Sequence, residues 1–234
     1  MERVVVGGAE LAGLDPGLPG ASVRLLLPPS GTDLVIPTWQ GNEFLLPDGT
    51  RPILRTLTPR RLDADALELT VDVVVHDESP LSVWATTSSP GDPVAVSGTG
   101  RGYTIDPDAQ HYVLAGDASA IPAIGQLLES LPGTARVDVI IEVAQPDARL
   151  ELPSHLGANV RWIDRPDGAD PGDALVQAVT GAEVDDGTRV WAAGEAAAMQ
   201  RIRKHLFEER GVGRTNAVVR GYWKRGRSGE PDDS

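Results

Sequence analysis

Between His111 and Ile124 an apolar run, Tyr112-Val113-Leu114-Ala115, meets Gly116-Asp117-Ala118-Ser119-Ala120 and then a helix start marked by Pro122. A glycine at such a strand-to-helix crossover lets backbone N–H groups and the positive helix end approach a phosphate, which a bulkier turn blocks. The same residues also read as a plain tight turn. Upstream, Arg55-Thr56-Leu57-Thr58 sits in an extended pattern. Strand side chains alternate, so Arg55 and Leu57 face one way, offering a guanidinium for a diphosphate and a flat contact for a ring. Arg55 suits a neighbouring carboxylate equally. In Ser79-Pro80-Leu81-Ser82 the serine can cap a short helix and the proline can take its first position, leaving N–H groups for a pyrophosphate. Pro90–Gly102 reads as a turn and strand ending in a glycine loop. Glu142 ends an apolar strand, where a carboxylate can accept ribose hydroxyls and disfavour a 2′-phosphate, which points to NADH; Arg149, Arg201, Arg203 and Lys204 are the cations that can serve NADPH instead.

These residues need elements to hold them. The first hundred residues are rich in Gly, Pro and Thr with short alternating segments, Ala21–Leu27 and Leu67–Val75, which predicts an antiparallel β-barrel or sandwich. From Pro107 the pattern becomes strand His111–Ala115, helix Ala120–Ser130, strands Arg136–Val143 and Asn159–Ile163, helix Gly172–Val179, strand Arg189–Ala193, helix Ala196–Arg210 and strand Ala217–Trp223. Strands alternating with helices predict a parallel-sheet α/β domain. The change falls within Tyr103–Ala109, where Asp106-Pro107-Asp108 disfavours regular structure. The expected division is a β domain over 1–107, an α/β nucleotide-binding domain over 108–226 and a disordered polar tail over 227–234.

Composition removes several classes of chemistry. With 0 cysteines in 234 residues there is no disulfide, thiolate nucleophile or cysteine-ligated cluster, so redox chemistry requires a bound organic cofactor. The 4 histidines are scattered without metal-ligand spacing. A formal net charge of −13 argues against nucleic acid. Basic residues gather at Arg51–Arg61 and again from Arg201 onward, which suits small anionic ligands or marks solvated faces. No run approaches the roughly 20 apolar residues of a membrane span, and the opening residues do not read as a signal peptide, so a cytoplasmic location is expected. Nothing calls for more than a monomer.

The segments Arg55–Thr58, His76–Ala85, Pro90–Gly102, Gly116–Ile124, Trp191–Glu195 and Gly221–Gly226, in that order, resemble the siderophore-interacting protein family of flavin-dependent ferric-siderophore reductases. The resemblance implies a ferredoxin-reductase-like architecture, an FAD-binding β-barrel followed by a nicotinamide-nucleotide domain, with NADH or NADPH as donor and a ferric siderophore as acceptor. By position it implies that Arg55, Leu57, Thr58, His76, Ser79, Ser82 and Trp84 lie at the FAD. Gly116, Asp117, Ser119 and Ala120 would surround the nicotinamide nucleotide, Gly194 and Glu195 would lie beneath it, and Lys224 or Arg225 would attract an anionic chelate. His76, Trp84 and Glu195 have structural alternatives: a strand-end histidine, a core aromatic and a charge at a helix N-terminus.

Departures from the family pattern bear on cofactor affinity. Leu57 replaces an aromatic residue, exchanging ring stacking of about 0.5–1.5 kcal/mol for simple apolar contact. Ser79 replaces a glycine, Ala118 replaces an acidic residue, and Asp77-Glu78 sets two negative charges beside the expected diphosphate. Two other readings therefore stand beside the reductase: a general flavin oxidoreductase, and a non-catalytic binding relative with a degraded flavin site.

Overall fold

A computed structural model describes residues 1–29, 31–76 and 79–226 of the chain. The described residues divide into two compact units, the first ending at Gly102 and the second beginning at Tyr103. Asp77, Glu78 and the expected tail over 227–234 lie outside the described residues. Among the described residues no helix is long and apolar enough to cross a membrane.

The first unit is built of antiparallel strands: β1 (Glu2–Gly7), β2 (Val23–Leu27), β3 (Thr38–Gln40), β4 (Glu43–Leu45), β5 (Ile53–Leu57), β6 (Pro59–Asp63), β7 (Glu68–Val73) and β8 (Ala95–Val96), with helix α1 (Pro80–Thr87) between the last two. They pair as two three-stranded sheets, β1-β7-β6 and β5-β2-β8, and a separate hairpin, β3-β4. Alternation explains the core. Val23, Leu25 and Leu27 from one sheet meet Leu69, Val71 and Val73 from the other, with Ile53, Leu57, Leu62 and Trp84 packed against them. The expected strand Leu67–Val75 is shorter at both ends. Leu67 takes a positive φ of 54° in the turn that reverses β6 into β7, and Val75 is exposed beyond the last paired residue.

The second unit carries β9 (His111–Asp117), α2 (Ile121–Ser130), β10 (Arg136–Val143), β11 (Ala158–Asp164), α3 (Asp173–Thr180), β12 (Arg189–Glu195), α4 (Ala196–Lys204) and β13 (Ala217–Trp223). Its five strands are parallel, in the order β11-β10-β9-β12-β13. Val113 and Ala115 of β9, with Val190 and Ala192 of β12, pack against Leu175 and Val179 of α3 and Met199 and Ile202 of α4. The alternate residues of β9 face α2, where Gly116 lies against Ala120 and Ile124. Trp191 of β12 is fully buried, and its indole N–H meets no acceptor among the described residues. The helix expected over Ala196–Arg210 is α-helical only to Lys204; His205–Glu209 widens into a π-turn that ends it. Ion pairing of Arg189 with Asp106 at 2.6 Å and the bond from the Tyr112 hydroxyl to the Asp106 carbonyl tie the approach to β9 into this unit.

The chain leaves β9 toward β10 on one side and leaves β12 toward β13 on the other. That reversal makes the gap between the carboxyl ends of β9 and β12 a topological switch point, the place where open α/β sheets take ligands.

Candidate functional site

In the first unit Arg55 lies on β5 directly opposite Leu25 of β2, with Leu57 opposite Val23. The sheet therefore turns Arg55 and Leu57 to the same side, as their spacing requires. Arg55 is half-buried, and burial lowers the pKa of its guanidinium. Its Nη1 donates to the Leu54 carbonyl at 2.8 Å, and no carboxylate pairs with it among the described residues. A desolvated guanidinium with donors to spare lacks the anion that would repay its burial, and a diphosphate supplies one with matching geometry. Leu57 packs against the apolar core, and Thr58 is buried at the corner between β5 and β6.

The Ser79 cap and the Pro80 start form as the sequence predicts. The Ser82 N–H donates to Ser79 Oγ at 3.2 Å, and the Val83 N–H donates to the Ser79 carbonyl at 2.9 Å. Since Pro80 has no N–H, most of the first turn is already satisfied from within. The cradle of open amides expected there is thus largely filled by Ser79 itself. Ser82 is buried, and its hydroxyl donates to the His76 carbonyl at 2.9 Å while accepting the His76 N–H at 3.1 Å. This serine pair fastens α1 to the end of β7. His76 is exposed and Trp84 packs against the core.

In the second unit the residues expected around a nucleotide converge on the switch point. Asp117 ends β9 with its carboxylate buried. Oδ1 accepts the Ser119 N–H at 2.9 Å and the Ser119 hydroxyl at 2.5 Å; Oδ2 accepts the Glu195 N–H at 2.9 Å and the Trp223 indole N–H at 2.8 Å. Burial pushes the Asp117 carboxyl above the usual carboxylate range, against the opposing pull of these donors. Gly194 makes the arrangement possible. A Cβ there would lie 2.6 Å from Asp117 Oδ2, so only glycine lets the carboxylate cross β12.

Gly116 is equally confined, since a Cβ would stand 2.4 Å from the Ala120 Cβ and 2.7 Å from the Ala193 carbonyl oxygen. Both glycines serve close packing of protein on protein, a use that the bare motif does not distinguish from approach to a phosphate. Ala120 is fully buried beneath the turn. Glu195 caps α4: one carboxylate oxygen accepts the Ala198 N–H at 2.9 Å and the other the Arg225 N–H at 3.4 Å.

β13 ends beside this cluster. Its register against β12 slips, so that Gly194 faces Gly221 while Glu195 faces Trp223, and the intervening Tyr222 bulges. A bulge re-aims the side chain that follows it, here carrying the indole across β12 to Asp117. Arg225 pairs with Asp170, whereas Lys224 is exposed. Glu142 has a different task from the one its position suggested. Its carboxylate is buried and accepts the Gly172 N–H at 2.8 Å and the Leu175 N–H at 2.9 Å, capping α3 from inside the sheet. Each of its oxygens thus holds one backbone N–H at the start of α3, a capping task that the strand-end position alone does not reveal. Of the cations considered for a 2′-phosphate, Arg149 pairs with Asp164 at 2.6 Å, Arg201 pairs with Asp173, and Arg203 donates to the Val219 carbonyl at 2.7 Å.

Comparison with known proteins assigns the two units. The model of the siderophore-interacting FAD-binding domain matches residues 1–103, and that of the siderophore-interacting protein matches residues 109–226. The crystal structure of a siderophore utilization protein from T. fusca is 40% identical, covering 98% of this chain and 88% of that one with a TM-score of 0.84. The ferric vibriobactin reductase ViuB of Vibrio cholerae is 29% identical over 234 residues, 97% of this chain and 85% of that protein. A ferredoxin NADP+ reductase from Neisseria gonorrhoeae shares the fold at 14% identity, with a TM-score of 0.62 over 94% of this chain and 92% of that one. An antiparallel β unit carrying a half-buried arginine, followed by a parallel sheet with its carboxylates at the switch point, thus belongs to a member of the siderophore-interacting protein family.

Proposed function

We propose that the protein is an FAD-dependent reductase that carries electrons from NADH or NADPH to a ferric siderophore and releases the iron as Fe(II). The reading is supported by the family match, by the likeness to ViuB and, in this chain, by the guanidinium of Arg55, which meets no carboxylate among the described residues. That guanidinium is the observation that carries it.

The electrons balance as one reduced nicotinamide for two ferric ions: NAD(P)H + 2 Fe(III) gives NAD(P)+ + H+ + 2 Fe(II). A bound flavin supplies the conversion between a two-electron donor and a one-electron acceptor. Weaker attachment of Fe(II) to hard oxygen donors then frees the metal without breaking the chelator. The chain's own part is to hold and to align. Arg55 would neutralise the FAD diphosphate, Thr58 at the corner between β5 and β6 would hydrogen-bond the flavin edge, and exposed Lys224 after β13 would attract an anionic chelate. The site needs no nucleophile and no acid–base pair.

Purified protein reconstituted with FAD is expected to show flavin absorption, to bleach with NADH or NADPH under anaerobic conditions, and to yield ferrous iron to a chromogenic trap when a ferric siderophore is added. A protein that stays colourless after reconstitution defeats the reading. It would leave a binding role on the same scaffold, for which the inward-packed Leu57 and the self-satisfied first turn of α1 are the favouring observations.

A further inference from the structure

The amino ends of the parallel strands, opposite the switch point, carry a chain of side chains that the candidate site does not use. His111 opens β9, Arg136 and Asp138 lie at the start of β10, and residues 185–188 form the turn that feeds β12. His111 Nε2 lies 2.9 Å from Asp138 Oδ2, and Nδ1 lies 3.0 Å from the Thr188 hydroxyl oxygen. That oxygen also lies 2.7 Å from Asp185 Oδ1 and accepts the Asp185 N–H at 3.0 Å. The His111 side chain is 12% exposed and Thr188 is fully buried, so water is a poor substitute for any of these partners.

The hydrogens available to this chain permit two arrangements. An ionised carboxylate only accepts, so Asp138 keeps a hydrogen on Nε2 whatever the charge of the ring, and a proton that leaves the ring leaves from Nδ1. Thr188 has one hydroxyl hydrogen for two claimants. With both ring nitrogens protonated, Nδ1 donates to Thr188 and the hydroxyl donates to Asp185. With Nδ1 bare, the hydroxyl turns to it, and Asp185 Oδ1 keeps the Gly187 N–H at 2.9 Å but loses its other donor. That loss matters, because the Thr188 hydroxyl is the largest influence holding the Asp185 carboxyl below the usual carboxylate range, ahead of the Gly187 N–H and the charge on His111. The neighbouring charges are held in place: Arg136 pairs with Asp138 and with Glu183, each at 2.8 Å, the Asn159 amide reaches Asp138 at 3.5 Å, and Arg189 is turned to Asp106.

We propose that Thr188 is a proton-coupled rotor: its hydroxyl serves Asp185 while His111 is charged and turns to His111 when the ring is neutral, so that rising pH is relayed into the turn over 185–188 and loosens it. The turn holds more than itself. The Asn216 amide donates to the Asp186 carbonyl at 3.1 Å, just before β13, and the Arg189 guanidinium donates to the Gly187 carbonyl at 3.2 Å. The device therefore acts on the entries to β12 and β13, and it stands apart from the flavin and nucleotide reading.

The test is an NMR titration of the full chain against pH. Across the titration of His111, Nε2 is expected to keep the signature of a protonated nitrogen while Nδ1 loses it, and the Asp185 carboxyl carbon is expected to shift with the same midpoint. The Thr188 amide, which closes the turn onto the Asp185 carbonyl, is expected to exchange about two- to tenfold faster on the alkaline side after correction for the intrinsic rise of exchange with pH. Thr188→Val keeps the shape and removes the rotor, so His111 should still titrate while the Asp185 carbon no longer follows; Thr188→Ser should restore the shared midpoint. An Asp185 carbon that moves as far in Thr188→Val as in the wild type would show a field effect of the ring charge acting through space, and overturns the relay. In the wild type alone, an Asp185 carbon indifferent to His111, a proton lost from Nε2, or unchanged Thr188 protection overturns it whatever the variants do.

Discussion

Arg55 concentrates the first unit's claim to a cofactor in one side chain. Its guanidinium is half-buried and, among the described residues, donates to the Leu54 carbonyl and meets no carboxylate, which leaves it suited to an anionic ligand. Arg55→Met keeps the apolar stem and removes the charge; a charge-assisted bond worth about 1.5–3 kcal/mol predicts FAD affinity lower by roughly ten- to a hundredfold, read by fluorescence titration. Glu142 makes the opposite point. Its type and place at the end of β10 read naturally as a ribose contact, yet the partners that decide its role, Gly172 and Leu175, lie some thirty residues on and are invisible to local pattern. Glu142→Ala is predicted to destabilise the second unit by about 2–4 kcal/mol in urea denaturation, with the discrimination between NADH and NADPH unchanged. A change in that ratio would restore the ribose role.

At the level of elements, continuous apolar runs separated by helical patterns made most of the second unit legible. Tyr112, Val113, Leu114 and Ala115 are all buried, as a strand covered on both faces requires, and Ala198, Met199 and Ile202 mark the inner face of α4, whose early end at Lys204 the pattern does not show. The first unit was harder to read because its strands are short. The two-stranded hairpin β3-β4 spans only Thr38–Leu45, too few residues for a period to declare itself. The bulge at Tyr222 could not be read at all, since it is a mismatch between two strands and not a property of either. The glycine of the crossover reads in the sequence either as a phosphate approach or as a tight turn, and its confinement by Ala120 and Ala193 comes from contacts that the local pattern does not carry. Gly116→Ala would force its methyl into Ala120, and the start of α2 must shift to admit it. A loss of about 1–3 kcal/mol is expected, with amide exchange accelerating first along α2; unaltered protection there would show that the turn has room to spare.

For the whole molecule, two units with separate cores predict two separable responses. FAD at a hundredfold excess over its Kd adds about 2.7 kcal/mol to whatever unfolds with its site. That stabilisation is expected in the exchange protection of β1–β8. In the second unit two carboxyls link stability to acid. Hydrogen bonding from Arg189 holds Asp106 below its usual pKa, and the Thr188 hydroxyl does the same for Asp185. A carboxyl whose folded pKa is depressed binds its proton more readily when unfolded, so this stability is present above the unfolded value near 3.9 and is lost as pH falls through the folded one. Asp106→Asn should flatten that acid limb in thermal melts taken below the ordinary aspartate value near 3.9; a limb of unchanged slope would assign the sensitivity elsewhere. Finally, Trp191 sits fully enclosed with an indole N–H that bonds to nothing among the described residues. Such an enclosed chromophore emits at shorter wavelength than exposed Trp39 and Trp223, so the blue edge of the emission gives the second unit a native optical gauge that reddens when its interior is breached.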